Sequence, residues 1–324
     1  MQTTPLPHGG LGLTRIGLGC WTISRLWWGE DHDDARAIRT VHAALDAGIN
    51  WVDTAPLYGH GHADTLLRKA LVGRSDVIVA TKVGVRWDKG GDHAESDLRP
   101  EHVVADAEAS LRRLGRDRLD LLQVHWPCER GTPIEDTVGA LSRLIEAGKV
   151  RAIGLCNHDA ATLSRARRVA PIATLQTPLS LLRREYESEL AHAVQLREGS
   201  PARPVAALAY ETLCRGLLTG RFRAVPTFPD SDLRSRDARF RGPRFHHARA
   251  LVGDLEKVAA RVGVSLPALA AGWTLSRPGI ACAIVGARRP GQITEAATGA
   301  RLRDRPRLWS IVDRVAAMHG GWPV

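Results

Sequence analysis

Short apolar runs alternate with amphipathic stretches along almost the whole chain. Between the runs, apolar residues recur with a helical period, as Ile38, Val41, Ala44 and Leu45 do before Gly48. Apolar strands that alternate with helices are typical of a parallel sheet covered by helices. The runs with the length and composition of buried strands cover residues 15–21, 50–54, 77–83, 119–125, 150–157, 172–176, 205–210 and 281–286.

The number of strand–helix units predicts a closed barrel. Eight such units in about 300 residues fit a (β/α)8 barrel better than an open doubly wound sheet. An open sheet that binds a dinucleotide is expected to carry G-x-G-x-x-G after its first strand. The first run here ends Gly17-Leu18-Gly19-Cys20-Trp21-Thr22, without the third glycine. Since no linker or internal repeat divides the sequence, we expect residues 1–324 to form one barrel domain.

Composition narrows the class of protein. The net charge of +10 invites a nucleic-acid partner, but basic residues are spread along the chain and often stand beside acids, as in residues 112–118. We therefore favour a solvated basic surface and no nucleic-acid partner. No run of about 18 apolar residues and no signal-peptide core is present, so we expect a cytoplasmic protein without a membrane partner. Five scattered cysteines without a C-x-x-C pair argue against disulfides and a zinc site.

Four polar residues lie at the ends of successive predicted strands. They are Asp53, Tyr58, Lys82 and His125, and in a barrel the carboxyl ends of the strands share one face. A phenol is a poor acid at neutral pH, but an adjacent ammonium lowers its pKa and a carboxylate keeps that ammonium charged. Each residue alone has an ordinary structural explanation as a buried pair or packed ring. The set of four favours a proton-transfer site.

Several motifs, in the same order over nearly the whole chain, resemble the aldo-keto reductase family. They cover residues 17–21, 53–59, 81–84, 121–127, 154–157, 209–220 and 284–288. The resemblance implies a (β/α)8 barrel and NAD(P)H-dependent reduction of an aldehyde, ketone or sugar. It makes Tyr58 the general acid, Lys82 and Asp53 the pair that tunes it, and His125 the group that orients the substrate carbonyl.

The resemblance also implies a dinucleotide site. The matching positions are Cys156, Asn157, Gln176 and Tyr210 around the nicotinamide, Leu213, Arg215 and Gly216 in the pyrophosphate loop 211–220, and Gly286, Arg288, Gln292 and Glu295 at the adenosine. An aromatic ring such as Tyr210 suits stacking on a nicotinamide. The adjacent Arg288 and Arg289 favour a 2′-phosphate, because guanidinium binds phosphate in a bidentate manner. We therefore expect NADP(H).

Four positions depart from the family pattern. Cys156 and Glu211 stand where serines are usual beside the carboxamide and the pyrophosphate. Leu179 replaces a frequent tyrosine after the sixth strand, and Ala296 replaces an asparagine that contacts adenine. A thiol is a weak hydrogen-bonding group, and an acid at residue 211 repels a pyrophosphate unless it is paired or turned away. These departures bear on cofactor affinity rather than on the type of reaction.

Tryptophans mark the expected substrate end. Trp21, Trp28, Trp87 and Trp126, together with Trp27, lie at or soon after strand ends. An aromatic-walled opening suits an apolar carbonyl compound or the flat face of a sugar. The Arg-rich loop 221–246 has three interpretations: a lid, an anion-binding rim or a solvated basic loop.

Two other functions use the same residues. The site could run in reverse as an NADP-dependent alcohol or sugar dehydrogenase, or the barrel could sense the cofactor without turnover. The presence of all four catalytic candidates argues against the second alternative, since a pure binding protein need not retain them. The substrate within these classes and the oligomeric state are left open by the sequence.

Overall fold

The computed structural model describes residues 1–88, 93–195 and 204–320. Its strands are β1 (Thr3–Pro5), β2 (Gly12–Thr14), β3 (Ile16–Gly19), β4 (Trp51–Asp53), β5 (Ile78–Val83), β6 (Val85–Trp87), β7 (Ala94–Ser96), β8 (Leu119–Val124), β9 (Val150–Cys156), β10 (Ile172–Pro178), β11 (Ala206–Tyr210) and β12 (Ile280–Gly286). Strands β3, β4, β5 and β8 to β12 form a closed parallel barrel in which β12 pairs with β3. The predicted (β/α)8 barrel is confirmed.

Helices connect the barrel strands. They are α1 (Asp34–Asp46), α2 (His62–Ala70), α3 (Pro100–Leu114), α4 (Ile134–Glu146), α5 (Ala160–Val169), α6 (Glu185–Glu189), α7 (Ala191–Val194), α8 (Gly242–Arg261), α9 (Leu266–Leu275), α10 (Pro290–Ala297) and α11 (Pro306–Met318). Asp33 caps α1 by accepting the N–H of Arg36, and Asp159 caps α5 by accepting the N–H of Thr162. Both caps follow the rule that short polar side chains satisfy the first free backbone donors of a helix.

Two segments differ from the sequence-based expectation. The sequence pattern predicts one helix near residues 185–197, but the structure divides it into α6 and α7 at Leu190, and residues 196 and 197 lie outside the described residues. Helix α8 begins at Gly242, so the loop expected to reach residue 246 ends earlier. The reason is local: Arg241 is extended and Pro243 occupies the first turn of the helix, where its missing N–H costs nothing.

A hairpin made of β1 and β2 fills the amino-terminal end of the barrel. Its residues Leu11 and Leu13 are buried in one apolar cluster with Trp51 at the start of β4. The Trp51 indole donates to the carbonyl oxygen of Thr14 at 2.8 Å. Gly17 on β3 makes room for this ring, because a Cβ at residue 17 would lie 2.2 Å from it. Buried apolar side chains therefore fill the amino-terminal end of the barrel, and the carboxyl ends of the strands lie at the opposite end.

A second apolar layer lies between the barrel and its helices. Val41, Leu67, Leu141 and Trp273 are fully buried there. Among the described residues, no single helix combines the length and apolar composition needed to cross a bilayer. Helices α8 and α9 meet that criterion only as a pair, and they are bent by 93° at the break between them.

Candidate active site

The carboxyl ends of β4, β5 and β8 bring the predicted catalytic residues together. Asp53 ends β4, Lys82 lies near the end of β5, and His125 directly follows β8, while Tyr58 lies in the turn before α2. The Lys82 ammonium donates to Asp53 Oδ1 at 2.6 Å, to the Thr54 carbonyl at 3.0 Å and to Tyr58 Oη at 3.1 Å. One ammonium therefore links the carboxylate, the backbone and the phenol.

This ion pair is removed from water. Lys82 is 0% exposed and Asp53 is 2% exposed, and a buried charge persists only when it is paired and hydrogen-bonded. Burial alone would lower the pKa of Lys82, but the Asp53 carboxylate and Tyr58 outweigh it and hold that pKa above its ordinary value. Asp53 is itself held from the other side by Gln176, whose Nε2 donates to Oδ2 at 2.8 Å. The lysine thus stays charged at neutral pH.

The phenol differs from the sequence-based expectation. Burial raises the pKa of Tyr58 above its ordinary value, and the nearby Lys82 ammonium offsets this only in part. The lysine acts in the expected direction, but the loss of water has the larger effect because it disfavours the phenolate. Tyr58 is therefore protonated at neutral pH. The Lys82 ammonium already donates to its oxygen, so the phenolic hydrogen is free to be donated elsewhere.

His125 lies beside Tyr58 and also lines the site. Its ring centre lies 6.0 Å from that of Tyr58, in an edge-to-face arrangement. Burial, together with the Lys82 charge, holds the pKa of His125 well below its ordinary value. The imidazole is consequently neutral at physiological pH, with one N–H donor and one acceptor nitrogen.

A cavity of about 570 Å³ opens above these residues. Asp53, Tyr58 and His125 line it, whereas Lys82 lies behind them and touches the cavity through Tyr58. Eleven residues expected at the cofactor also line it: Cys156, Asn157, Gln176, Tyr210, Leu213, Arg215, Gly216, Gly286, Arg288, Gln292 and Glu295. Arg289, expected to favour a 2′-phosphate together with Arg288, is not among the lining residues. The structure therefore brings the nicotinamide, pyrophosphate and adenosine positions into one continuous space.

The part of the cavity beside Tyr58, where the resemblance places the nicotinamide and which is called the nicotinamide end below, is built from amides. Tyr210 Oη donates to Asn157 Oδ1 at 2.7 Å, and Asn157 Nδ2 donates to the His125 carbonyl at 3.1 Å. Cys156 lies between the amides of Asn157 and Gln176, with its sulfur 3.3 Å and 3.5 Å from their polar atoms. Burial raises the pKa of this thiol to about 12. Cys156 is thus a neutral group that fits between the two amides.

The acid at residue 211 is paired. The Glu211 carboxylate contacts three guanidinium groups, those of Arg183, Arg215 and Arg239, at 2.8–3.2 Å. Burial would raise the pKa of Glu211, but Arg239 and Arg215 outweigh it and lower the pKa to about 2. Its charge is neutralised before any phosphate approaches. The other two departures, Leu179 and Ala296, are 0% exposed and fill apolar space.

Backbone strain is concentrated around this cavity. Asn157, Glu211, Cys214 and Arg215 all have positive φ angles, between 46° and 64°. Non-glycine residues adopt this conformation at a cost, and such residues cluster at functional sites. Next to them, Gly216 has a φ of +99°, which only glycine adopts readily. The chain therefore bends sharply where the resemblance implies a pyrophosphate.

Aromatic rings form the wall near Tyr58. Trp21, Trp27, Trp28 and Trp126 line the cavity, and the Trp21 ring lies 6.3 Å from that of Tyr58 in a stacked orientation. Trp87 is not among the lining residues. It lies on β6 and stacks on His60 at 5.0 Å.

Three arginines of the cavity wall were not predicted as site residues: Arg183, Arg221 and Arg234. Arg234 belongs to the Arg-rich loop, yet it is buried. It pairs with Asp232 and lies over the rings of Trp28 and Phe228, 5.0 Å and 4.3 Å away. This part of the loop therefore forms one wall of the cavity. A hydrogen bond from the Leu233 N–H to the Trp27 carbonyl joins it to the segment after β3. A charge pattern alone carries no signal of such burial.

The residues fit a nicotinamide dinucleotide. One cavity is lined both by amides beside Tyr58 and by arginines that include Arg288. Gly286, which also lines it, leaves no room for a side chain, since a Cβ there would lie 2.8 Å from Thr22. Amides suit a carboxamide, and close backbone approach with guanidinium groups suits phosphates.

The family follows from comparison with known proteins. Residues 15–304 match the model of the aldo/keto reductase family. The chain belongs to this family, whose members are oxidoreductases that act on carbonyl compounds and sugars. The resemblance noted from the sequence is confirmed.

Individual relatives support this membership. The chain is 40% identical over 298 residues to the aldo-keto reductase YhdN of Bacillus subtilis, covering 90% of this chain and 87% of that protein. It is 30% identical over 308 residues to the NADH-specific methylglyoxal reductase of Escherichia coli, covering 91% and 92%. The structure of the glycerol dehydrogenase AKR11B4 from Gluconobacter oxydans superimposes with a TM-score of 0.87 at 37% identity, covering 100% of this chain and 97% of that one.

Proposed function

We propose that this protein reduces the carbonyl group of an aldehyde, ketone or sugar with NADP(H), and that Tyr58 is the general acid. The observation that carries the proposal is the position of Lys82 Nζ, 3.1 Å from Tyr58 Oη and 2.6 Å from Asp53 Oδ1, behind the wall of a cavity that fits a dinucleotide. This arrangement supplies a proton donor and a fixed positive charge at one point.

Each residue has a distinct task in the proposed reaction. A bound reduced nicotinamide supplies the hydride. Tyr58 donates its phenolic proton to the carbonyl oxygen, which becomes the hydroxyl of the product. The negative charge left on Tyr58 Oη is stabilised by the Lys82 ammonium, which stays in place because Asp53 and the Thr54 carbonyl hold it.

His125 orients the carbonyl. Because its pKa lies well below the ordinary value, it donates as a neutral imidazole and leaves the proton transfer to Tyr58. Its ring lies edge-on to Tyr58, so both groups border the same point of the cavity. The rings of Trp21, Trp28 and Trp126 exclude water around that point.

The preference for NADP(H) is supported by Arg288, which lines the adenosine end of the cavity. A guanidinium there matches a 2′-phosphate. Relatives of this chain differ in cofactor, since one is named NADH-specific and another, from Schizosaccharomyces pombe, is named an NADP(+) enzyme. The family alone therefore leaves both dinucleotides open, and Arg288 is the residue that favours NADP(H).

A dehydrogenase is the second candidate function. It is favoured by the 37% identity to a glycerol dehydrogenase that the chain covers almost completely. Against it stands the raised pKa of Tyr58, because oxidation of an alcohol needs the phenolate as the base. We therefore place reduction first.

The test is a comparison of both directions with one enzyme preparation. Aldehydes, ketones, 2-oxoaldehydes and sugars are assayed with NADPH and NADH by the loss of absorbance at the reduced nicotinamide, and the matching alcohols with the oxidised cofactors. We expect kcat/KM at pH 7 to be highest for a carbonyl substrate with NADPH. Turnover of alcohols that exceeds every reduction at this pH would favour the dehydrogenase, and failure to bind either dinucleotide would overturn the proposal.

A further inference from the structure

The guanidinium of Arg288 is already occupied. Arg288 follows β12, and its backbone N–H donates to Gln292 Oε1 at 2.9 Å, which fixes the main chain. Its side chain reaches across the cavity edge to Asp31, in the segment between β3 and α1. There Arg288 Nη2 donates to the Asp31 carbonyl oxygen and lies 3.5 Å from the Asp31 carboxylate.

Asp31 is held in this position by a second arginine. Arg36 Nη2 donates to Asp31 Oδ1 at 2.8 Å and to its carbonyl oxygen at 3.0 Å. The Asp31 carboxylate therefore has a second cationic partner besides Arg288. The same segment is tied to the opposite wall by the pairing of Trp28 with Asp232. Asp31 thus places a negative charge, paired with Arg36, beside Arg288.

The neighbouring charges favour an anion at this end. Arg221 and Arg234 line the cavity with Arg288, and the carboxylate of Asp232 is committed to Arg234 through two oxygens. A 2′-phosphate carries a charge of about −1.5 to −2. Such a group would gain from Arg221 and Arg288, since the charge of Arg234 is already balanced by Asp232, but it would meet Asp31 beside the Arg288 guanidinium.

We propose that Asp31 is a cofactor-specificity residue that opposes Arg288. Its carboxylate, 3.5 Å from Arg288 Nη2, offsets the positive charge of this guanidinium and so weakens the preference for a 2′-phosphorylated dinucleotide. In other dinucleotide sites a carboxylate accepts a hydrogen bond from a ribose 2′-hydroxyl, and Asp31 in that role would support binding of the non-phosphorylated form. The inference rests on the proposed function, because it requires a dinucleotide in this cavity.

The experiment measures equilibrium binding rather than turnover. NADPH and NADH are titrated into wild type and Asp31→Asn while the tryptophan fluorescence of the protein is followed. Calorimetry with 2′,5′-adenosine diphosphate and adenosine 5′-monophosphate isolates the adenosine end. We expect the ratio of the NADH to the NADPH dissociation constant to rise about fivefold in Asp31→Asn, as for removal of one charge near a partly solvated phosphate.

Two matched variants make the result specific. Glu30→Gln removes a charge of the same sign from the adjacent residue, and we expect it to leave the ratio unchanged. In an Arg288→Ala background, the Asp31→Asn change should lose most of its effect, because the charge offset needs both partners. Circular dichroism checks that each variant is folded.

The outcomes separate the inference from the proposed function. An equal ratio in wild type and Asp31→Asn overturns the role of Asp31 while leaving the dinucleotide site intact. An equal rise of this ratio in Glu30→Gln also overturns it, since the effect would then come from the overall negative charge of the segment and not from Asp31. If the wild type binds neither dinucleotide, the proposed function fails first, and this inference fails with it.

Discussion

The two ends of the cavity hold their charges in opposite ways. At the nicotinamide end, the Lys82–Asp53 pair is almost completely buried and fixed by several hydrogen bonds. At the adenosine end, the side chain of Arg288 is 25% exposed and that of Asp31 is 59% exposed. Buried pairs are costly to break, whereas exposed pairs contribute little to stability. Changes at the first end should therefore abolish activity or folding, and changes at the second should adjust affinity.

The largest effect is expected at the phenol. Tyr58→Phe removes the proton donor, and we expect kcat for reduction to fall about a thousandfold, in the range of a lost general acid. Binding of NADPH, measured by fluorescence titration, should change less than about twofold because the hydroxyl is not among the groups that carry the dinucleotide.

Tyr186→Phe is the matched control. Tyr186 is another buried tyrosine, whose hydroxyl donates to the Pro278 carbonyl at 2.8 Å, and it is not among the residues that line the cavity. Turnover should be retained in this variant. Wild-type kcat in Tyr58→Phe would contradict the assigned acid.

The next effect is on folding. Lys82→Met leaves the Asp53 carboxylate buried without its cation, so we expect the free energy of unfolding to fall by about 3–5 kcal/mol. Urea denaturation followed by circular dichroism measures this change. The comparison is Lys149→Met, because Lys149 pairs with Glu108 at 2.7 Å but both side chains are about two-fifths exposed. Comparable losses in the two variants would contradict the distinction between buried and exposed pairs.

A smaller effect is expected at the adenosine end. Arg288→Ala should weaken the binding of NADPH about tenfold more than the binding of NADH. This factor corresponds to the loss of one hydrogen bond to a charged group. The dissociation constants come from the same fluorescence titrations. Arg289→Ala serves as the control, because Arg289 is not among the cavity-lining residues. Equal losses for both cofactors in Arg288→Ala would remove the phosphate role.

The smallest change concerns pH. Tyr58 acts in its protonated form and its pKa is raised, so reduction is lost only as the pH rises above the ordinary phenol range. His125 acts in its neutral form and its pKa is lowered, so its contribution is lost only as the pH falls well below 6.5. We therefore expect kcat for reduction to be flat from about pH 6 to 9. A decline between pH 7 and 9 would indicate a lowered phenol pKa instead.

The sequence predicts the barrel because local and global preferences agree. Runs such as 119–125 are rich in leucine and valine and become strands buried on both faces, as β8 is. The sequence does not predict the hairpin of β6 and β7, since each strand has only three residues and the segment after residue 83 is otherwise typical of a polar loop. Short antiparallel pairs owe their formation to what they pack against, which a linear pattern does not record.

The site residues were predictable as a set, but their energetics were not. Adjacent charges can be inferred from strand ends, which is why Lys82, Asp53 and Tyr58 were grouped correctly. The extent of burial comes only from the assembled barrel, and it reverses the net direction of the Tyr58 pKa. The burial of Arg234 was equally unpredictable from the sequence, because this residue belongs to a basic run and is nevertheless buried against aromatic rings.

The packed amino-terminal end of the barrel has a consequence for proton supply. Trp51, Leu11 and Leu13 are buried in the apolar cluster at that end, opposite the cavity. In the proposed reaction we therefore expect each proton that Tyr58 donates to be replaced through the opening of the cavity. Recharging of the acid is therefore coupled to the departure of the product, and a tightly held product would delay it.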